Sequence, residues 1–323
     1  MMSHSVAGSC LATARARSIA PHSPLPLRER IAPCPSRQRG TAHRPFHKPR
    51  RQRRYRTLTR AMAEVVLPEG LGKRVLVVGG NRGLGLEMVK YLVKGGCEVA
   101  VSCRKSNEAL DGAGCEQVIQ GIDFMDDEVG VKLAGELRGN VDTLMMVAGY
   151  WSTETLETPM SGAEQRKMYQ ICAIAPLLIM QHLVLTGKLG KGSKIGFITS
   201  EGGSIGLRSE KESGNYAHHA SKAASNSVGR MLSFDLKHRD VALVMLHPGF
   251  LKTEMTKPYE HLYEELGAIE PQEALPSILK AVGDLTLETT GRFIAPLGAS
   301  GLGLGIYALP DPDNVPPFSE LPW

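Results

Sequence analysis

His218 and Lys222 are the two residues whose types and spacing point most directly to proton chemistry. They stand four positions apart in residues 215–226, and residues four apart share one face of a helix. This spacing brings a proton-donating group and a lysine that tunes its acidity into one pocket. An imidazole can act as a general acid. Next to Lys222, however, its charged form is disfavoured, and the neutral form donates a proton poorly.

A turn rich in glycine is the second chemical feature. Residues 75–78 are apolar, Gly79, Gly83 and Gly85 follow, and apolar residues then return at helical spacing. The pattern predicts a strand, a tight turn and the start of a helix. Glycines let the backbone approach a ligand, and the amides at a helix N-terminus attract an anion. We therefore predict a pyrophosphate site, with an ordinary strand-to-helix turn as the alternative.

Taken together and in this order, the motifs resemble those of the short-chain dehydrogenase/reductase family. The spacing G-x-x-x-G-x-G is the variant of the dinucleotide turn used there, and Met146-Val147-Ala148-Gly149 stands where the family has Asn-Asn-Ala-Gly. Residues 215–226 resemble the Tyr-x-x-x-Lys helix, and residues 248–255 resemble the loop that closes over the nicotinamide. The resemblance spans about residues 72–297 and is strongest to the C-factor or sniffer-like carbonyl reductase type.

This resemblance implies four active-site positions, of which two are altered. Ser200 and Lys222 match the serine and lysine of the family, while His218 replaces the tyrosine and Cys172 the asparagine. In the family, the tyrosine passes the proton, the serine holds the substrate oxygen and the lysine binds the ribose. Tyr216 matches a second, non-catalytic tyrosine. It lies about 240° round the helix from Lys222 and is expected to precede the helix.

The end of the second predicted strand indicates the choice of cofactor. NAD-binding folds place a carboxylate there for the ribose 2′-hydroxyl, whereas this chain has Cys103 and then Arg104. With Arg82 in the glycine turn, this corner is predicted to accept the 2′-phosphate of NADP(H). Two solvated arginines are the alternative. The resemblance assigns to the cofactor Gly79, Asn81, Arg82, Gly83, Leu84, Gly85, Arg104, Asp123, Phe124, Ala148, Gly149, Lys222, Pro248, Gly249 and Thr253.

Alternating strand and helix patterns position these residues. They predict an α/β fold: a single Rossmann-type, doubly wound parallel sheet of about seven strands with helices on both faces. We expect the third strand at residues 119–124, a long helix at 163–185 and a further helix at 271–282. Residues 256–266 are predicted to be a variable substrate lid or an amphipathic surface helix. The domain is expected at residues 61–300, followed by a proline-rich tail at 301–323 that runs over the surface.

The first sixty residues differ in composition from the rest. They carry thirteen Arg and one Lys against one acid, a net charge of 14 − 1 = +13, whereas the remaining 263 residues carry 24 − 32 = −8. Leaders rich in arginine and poor in acids are typical of organelle transit peptides. We predict a plastid transit peptide at residues 1–60, cleaved near Ala61, with a mitochondrial leader or a disordered basic tail as alternatives.

Composition excludes some of the other classes of protein to which the chain could belong. No apolar run reaches the eighteen or so residues of a membrane span, and the acidic body argues against a nucleic-acid partner. The cysteines of the body, Cys97, Cys103, Cys115 and Cys172, lack C-x-x-C spacing and are expected to be buried thiols in a reducing compartment. No metal site is predicted.

Two functions of different classes follow. The first is an NADP(H)-dependent oxidoreductase acting on a small carbonyl or alcohol with an altered proton donor. The second is a catalytically silent NADP(H)-binding sensor or scaffold. An isomerase that uses His218 as its base is a third option. The sequence leaves open which substrate binds and whether the protein is a homo-oligomer.

Overall fold

Eight strands form one sheet in the order β3-β2-β1-β4-β5-β6-β7-β8 in the computed structural model, which describes residues 65–210, 212–309, 311 and 315–323. The first seven strands are parallel, and β8 pairs with β7 in the antiparallel direction. The strands are β1 Arg74–Val78, β2 Glu98–Ser102, β3 Gln117–Ile119, β4 Thr143–Met146, β5 Lys194–Ile198, β6 Ala242–Leu246, β7 Phe293–Ala295 and β8 Ser319–Glu320. The predicted transit peptide lies outside the described residues and stays a prediction.

Helices connect the parallel strands. The α-helices are α1 Gly83–Lys94, α2 Glu108–Asp111, α3 Val129–Glu136, α4 Gly162–Tyr169, α5 Ala175–Leu185, α6 Tyr216–Lys237 and α7 Pro271–Gly283. Short 3₁₀ helices include Glu201–Gly203 and Lys257–Leu262, both beside the site described below.

The core has two layers because successive side chains of a strand point to opposite faces of the sheet. In β1, Leu76 and Val78 pack in one cluster with Ile179 of α5. Val75 and Val77 pack in the other with Met88 of α1. The sheet is therefore covered on both sides, which confirms the predicted doubly wound architecture and explains why its strands are almost wholly apolar.

The third strand lies earlier than the sequence predicted. It spans Gln117–Ile119, and the expected residues 120–124 lie beyond its end. Gly121 adopts a φ of 72°, and the Gly121 amide donates back to the Arg104 carbonyl. This left-handed turn stops the strand after Ile119, because it bends the backbone away from the extended conformation.

The predicted long helix is present from Gly162 to Leu185, but it contains a π-helical turn at Gln170–Ile174. Among the described residues, this helix is long and apolar enough to cross a membrane by length and composition alone. Ala175, Ile179 and Leu183 on its second half are fully buried in the core. Packing inside the domain thus accounts for its apolar character.

Two further expectations need correction. Tyr216 does not precede the Tyr-x-x-x-Lys-like helix but is the first residue of α6. The tail does not simply run over the surface. Ser319–Glu320 extends the sheet as β8, and Leu321 is only 3% exposed. The strand forms because its backbone completes the hydrogen bonds of β7, which would otherwise be an unpaired edge.

Candidate active site

A cavity of about 920 Å³ opens at the carboxyl ends of the parallel strands. Parallel α/β sheets bind ligands at this edge. All fifteen residues assigned to the cofactor line this cavity, as do Ser200 and His218. The structure thus brings together every predicted site residue except Cys172.

The glycine turn forms one end of the cavity. Gly79 has a φ of 92°, and a Cβ there would lie 2.7 Å from the Ala148 Cβ. A Cβ at Gly85 would lie 2.1 Å from the Gly79 carbonyl oxygen. Arg82, at the N-cap of α1, makes no side-chain cap. The turn thus closely approaches the segment that follows β4, and the first amides of α1 are left for a ligand, as a pyrophosphate site requires.

Arg82 and Arg104 are exposed at the rim of the same end. Ser102 and Cys103 precede Arg104 along the cavity wall, so no acid stands at the end of β2. The two segments are tied together, because the Asn81 side chain donates to the Lys105 carbonyl at 3.1 Å. Two exposed guanidinium groups close to this strand end fit a phosphate group.

Lys222 is buried behind the centre of the cavity, with 7% of its surface exposed. Its Nζ donates to the Ile198 carbonyl at 3.3 Å, and a Cβ on Gly149 would lie 3.6 Å from it. Among the described residues, no carboxylate forms an ion pair with Lys222. Its charge is therefore available to oxygen atoms of a ligand in the cavity.

His218 faces the cavity one helical turn before Lys222. Its Nδ1 is buried without a hydrogen-bond partner among the described residues. Burial, with the charges of Lys222, His219 and Arg208 adding to it, lowers the pKa of His218 to about 3. The imidazole is thus neutral at physiological pH, as the sequence predicted from its neighbour.

Cys172 lies behind the cavity wall rather than in it. It is 1% exposed, sits in the π-helical turn, and its Sγ donates to the Tyr150 carbonyl at 3.5 Å. The Cys172 carbonyl accepts a hydrogen bond of 2.7 Å from the Ser225 hydroxyl of α6. The residue thus joins the long helix to α6, and its predicted part in proton transfer stays a prediction.

Ser200 caps the 3₁₀ helix Glu201–Gly203, where its Oγ accepts from the Gly202 amide at 3.0 Å and donates to Glu201 Oε2 at 3.0 Å. The Glu201 amide donates to His247 Nδ1 at 3.1 Å, and His247 Nε2 lies 2.6 Å from the Gly301 carbonyl. Only the neutral tautomer with its hydrogen on Nε2 satisfies both contacts. Burial lowers the pKa of His247, which favours this neutral form.

Aromatic side chains form part of the cavity wall, and sequence reasoning missed most of them. Trp151 stacks on Tyr259 at a centroid distance of 4.8 Å and lies 5.0 Å from the His218 ring. Asn215 accepts from Trp151 Nε1 at 3.1 Å and donates to the Tyr259 hydroxyl at 2.8 Å. Asn215 has a φ of 55°, a conformation that asparagine tolerates. The sequence does show Asn215 at the start of a helix, but an asparagine there predicts a helix cap. It does not predict the two hydrogen bonds by which Asn215 joins Trp151 to Tyr259, an arrangement called the Trp151–Asn215–Tyr259 clamp below.

Comparisons with known proteins agree with this geometry. The family model described as short chain dehydrogenase matches residues 73–263. The chain is 33% identical over 225 residues to 1-hydroxy-2-glutathionyl-2-methyl-3-butene dehydrogenase of Rhodococcus sp. (strain AD45), which covers 68% of this chain and 94% of that protein.

Among solved structures, NADPH-bound carbonyl reductase from chicken fatty liver matches with a TM-score of 0.60 and 24% identity, covering 69% of this chain and 96% of its own. Carbonyl reductase Sniffer of D. melanogaster matches with a TM-score of 0.58 and 23% identity, covering 69% and 96%. These similarities are those of the fold.

Proposed function

The chain belongs to the short-chain dehydrogenase family of oxidoreductases, and from this we propose that it uses NADP(H) to interconvert a carbonyl and an alcohol. The observation that carries the proposal is the single cavity that joins the glycine turn to Ser200 and the buried Lys222. A dinucleotide bound along this cavity would reach from the phosphate-binding end to the two polar groups, as hydride transfer requires.

The residues present fit such a cofactor. The glycine turn would hold the pyrophosphate, and Arg82 and Arg104 favour a 2′-phosphate over a free ribose hydroxyl. The bound nicotinamide would supply or accept a hydride. One of the structurally similar proteins is named as an NADPH-bound carbonyl reductase, which supports the choice of NADP(H).

This chain's own groups would orient the reacting oxygen. Ser200 presents its hydroxyl to the cavity, and Lys222 adds a buried positive charge that stabilises negative charge on a nearby oxygen. Trp151 and Tyr259 form an apolar wall that limits access of water. These positions support reduction of a carbonyl or oxidation of an alcohol.

A second function is favoured by His218. Where the family has a tyrosine, this chain has a neutral imidazole whose Nδ1 lacks a hydrogen-bond partner among the described residues. Without another proton-transfer group, the protein would bind NADP(H) and turn over slowly or not at all. A silent NADP(H)-binding sensor or scaffold is therefore the competing proposal.

Binding and turnover separate the two. Binding of NADPH and of NADH is measured by titration of the nicotinamide fluorescence. Turnover is followed by the absorbance of the reduced nicotinamide, in one assay with NADPH and a panel of carbonyls and in another with NADP⁺ and a panel of alcohols. The alcohols should include a glutathionyl alcohol, given the name of the Rhodococcus relative. Turnover in the wild type that is lost in Ser200→Ala supports the proposal that the protein is an oxidoreductase. Tight binding without any turnover supports the silent protein, and failure to bind either nucleotide contradicts both.

A further inference from the structure

The Ser200 hydroxyl has a nearly complete set of hydrogen bonds within the protein. Its one hydrogen is donated to Glu201 Oε2 at 3.0 Å, and one lone pair accepts from the Gly202 amide at 3.0 Å. A hydroxyl has one donor and two acceptor positions. A single acceptor position therefore remains for a ligand in the cavity.

This remaining position distinguishes the two forms of the substrate. A carbonyl oxygen can only accept a hydrogen bond, so it has no partner on Ser200 while the hydrogen points to Glu201. An alcohol can donate its hydroxyl hydrogen to the free lone pair. The site as it stands thus complements the alcohol.

Glu201 is placed to receive a proton from Ser200. It lines the cavity, its side chain is 15% exposed, and Arg208 holds its backbone by donating from Nη2 to the Glu201 carbonyl at 3.0 Å. This backbone contact and the Glu201 amide bond to His247 fix the carboxylate next to Ser200.

The charged and titratable groups around Glu201 come from several elements. Arg208 Nη2 lies 3.9 Å from Oε2, and His247 contacts the Glu201 amide. Glu212 and His219 interact with Glu201 electrostatically, and the backbone of Lys222 in α6 lies next to Gly203 of the same 3₁₀ helix. Arg208, one further carboxylate and two histidines therefore lie around the pair.

We propose that Glu201 accepts the proton of an alcohol substrate through Ser200, and that the site is therefore arranged for alcohol oxidation. The proposal rests on the oxidoreductase function proposed above. With a bound oxidised nicotinamide as the hydride acceptor, the alcohol O–H bond would break and its proton would pass to Ser200 Oγ. The original Ser200 proton passes to Glu201 Oε2 at the same time. The products are a carbonyl, the reduced cofactor and a protonated Glu201, so charge and atoms balance.

In this route, a carboxylate that acts through Ser200 takes the part that the tyrosine plays in the family. His218 cannot take this part at neutral pH, because burial and Lys222 lower its pKa to about 3. Carbonyl reduction follows the reverse route and needs a protonated Glu201, so it should be favoured by acid, whereas alcohol oxidation should be favoured by base.

The test compares Glu201→Gln, Glu201→Asp and a control, Glu128→Gln, in which an exposed carboxylate at the start of α3 is changed. In the full chain with NADP⁺ and the best alcohol, kcat for Glu201→Gln should fall by about 10²–10⁴ with KM changed little. The rise of kcat with pH should disappear in this variant. Glu201→Asp should recover part of kcat, while Glu128→Gln should match the wild type.

A second measurement does not depend on turnover. In the free protein, infrared difference spectra between acid and neutral pH should contain a carboxyl band that is absent in Glu201→Gln. This band should shift in Ser200→Ala, because its hydrogen-bond donor is lost. Fluorescence titration with NADPH should give an unchanged affinity for Glu201→Gln, which also shows that the variant folds.

The outcomes are separable. If the wild type turns over an alcohol but Glu201→Gln keeps both its rate and its pH profile, the Glu201 route is wrong while the oxidoreductase function stands. If the wild type turns over nothing, the proposed function itself fails. If kcat of Glu201→Gln is lower but its pH profile is unchanged, Glu201 has only a structural role, and this result would also overturn the proposal.

Discussion

The indole of Trp151 stacks on the phenol of Tyr259 with ring centroids 4.8 Å apart and planes inclined by 13°. Trp151 follows β4, and Tyr259 belongs to the 3₁₀ helix Lys257–Leu262 in the predicted substrate lid. The contact therefore joins the sheet to the lid and closes the cavity wall beside His218.

Removal of this stack should weaken substrate binding. A substrate that packs on the Tyr259 ring would lose a ring contact worth about 0.5–1.5 kcal/mol, so Tyr259→Ala should raise KM by about 2–13-fold. Tyr259→Phe keeps the ring and loses only the Asn215 bond, and its effect should be smaller. Steady-state kinetics measures both, with Tyr216→Phe as a control at an exposed tyrosine outside the cavity. An unchanged KM in Tyr259→Ala would show that the stack does not contact substrate.

The cofactor corner should discriminate strongly between the two nicotinamide nucleotides. Arg104→Asp removes one cation from the rim and should lower NADPH affinity by about 10–150-fold, the range of a charge-assisted hydrogen bond of about 1.5–3 kcal/mol. NADH affinity should stay similar or rise. Thermal shifts and fluorescence titrations measure this, and Arg239→Asp, at an exposed arginine outside the cavity, controls for the change of charge. Equal affinity of the wild type for NADPH and NADH would contradict the assignment.

Burial of neutral His218 should make the free energy of unfolding fall in acid. The pKa is about 3 in the folded protein and about 6.5 when unfolded, so between these values the unfolded chain binds a proton that the folded protein does not. The contribution of His218 to stability is constant above pH ~6.5 and falls as pH decreases below it, by at most about 1.4 kcal/mol per pH unit. His219 and His247, whose pKa values are also lowered by burial, add to the same slope. Urea unfolding of His218→Gln should show a smaller slope in this window. A slope as steep in His218→Gln as in the wild type would contradict a neutral, buried imidazole at this position.

Restoration of the family's residues should increase carbonyl reduction. His218→Tyr with Cys172→Asn returns both altered positions to the family pattern, and the expected gain is about 10²–10⁴-fold. His218→Tyr alone should give less. The asparagine amide could donate to the Tyr150 carbonyl that Cys172 now contacts. His218→Phe is the matched control, because it supplies the ring without the hydroxyl. A similar rate in His218→Phe and His218→Tyr would show that the gain does not come from proton transfer.

The glycine turn should be intolerant of a methyl group. In Gly85→Ala the new Cβ would lie 2.1 Å from the Gly79 carbonyl oxygen, so the backbone must move and NADPH affinity should fall at least tenfold. Gly135→Ala in α3 places its Cβ where nothing lies within 4 Å. It should raise the free energy of unfolding by about 0.5–1 kcal/mol and leave NADPH binding unchanged. Normal NADPH binding by Gly85→Ala would argue against a pyrophosphate at this turn.

Much of the fold was predictable from local patterns. The apolar run before Gly79 predicted β1, and the helical spacing after Gly83 predicted α1, because each element buries a face of fixed period. The third strand was misplaced, since its end depends on the left-handed backbone of Gly121, and glycine occurs in many other conformations. The apolar pattern of residues 163–185 does not indicate the π-helical turn.

The candidate site was predictable only in part. Ser200, His218 and Lys222 came from motifs and meet in one cavity, as expected. The Trp151–Asn215–Tyr259 clamp joins residues more than forty positions apart, so no local spacing could indicate it. The contact of Ser200 with Glu201 depends on side-chain conformation at a strand end, which composition does not determine.

The short strands at the two edges of the sheet determine which form of this protein would aggregate. One edge is β3, with three residues, and the other is β8, with two. Edge strands this short expose few unpaired backbone groups, so the folded protein offers little template for the addition of another chain. The longer apolar strands β1 and β6 are fully enclosed by their neighbours. Aggregation should therefore start from chains that have not yet folded, and it should depend on the rate of folding more than on the concentration of native protein.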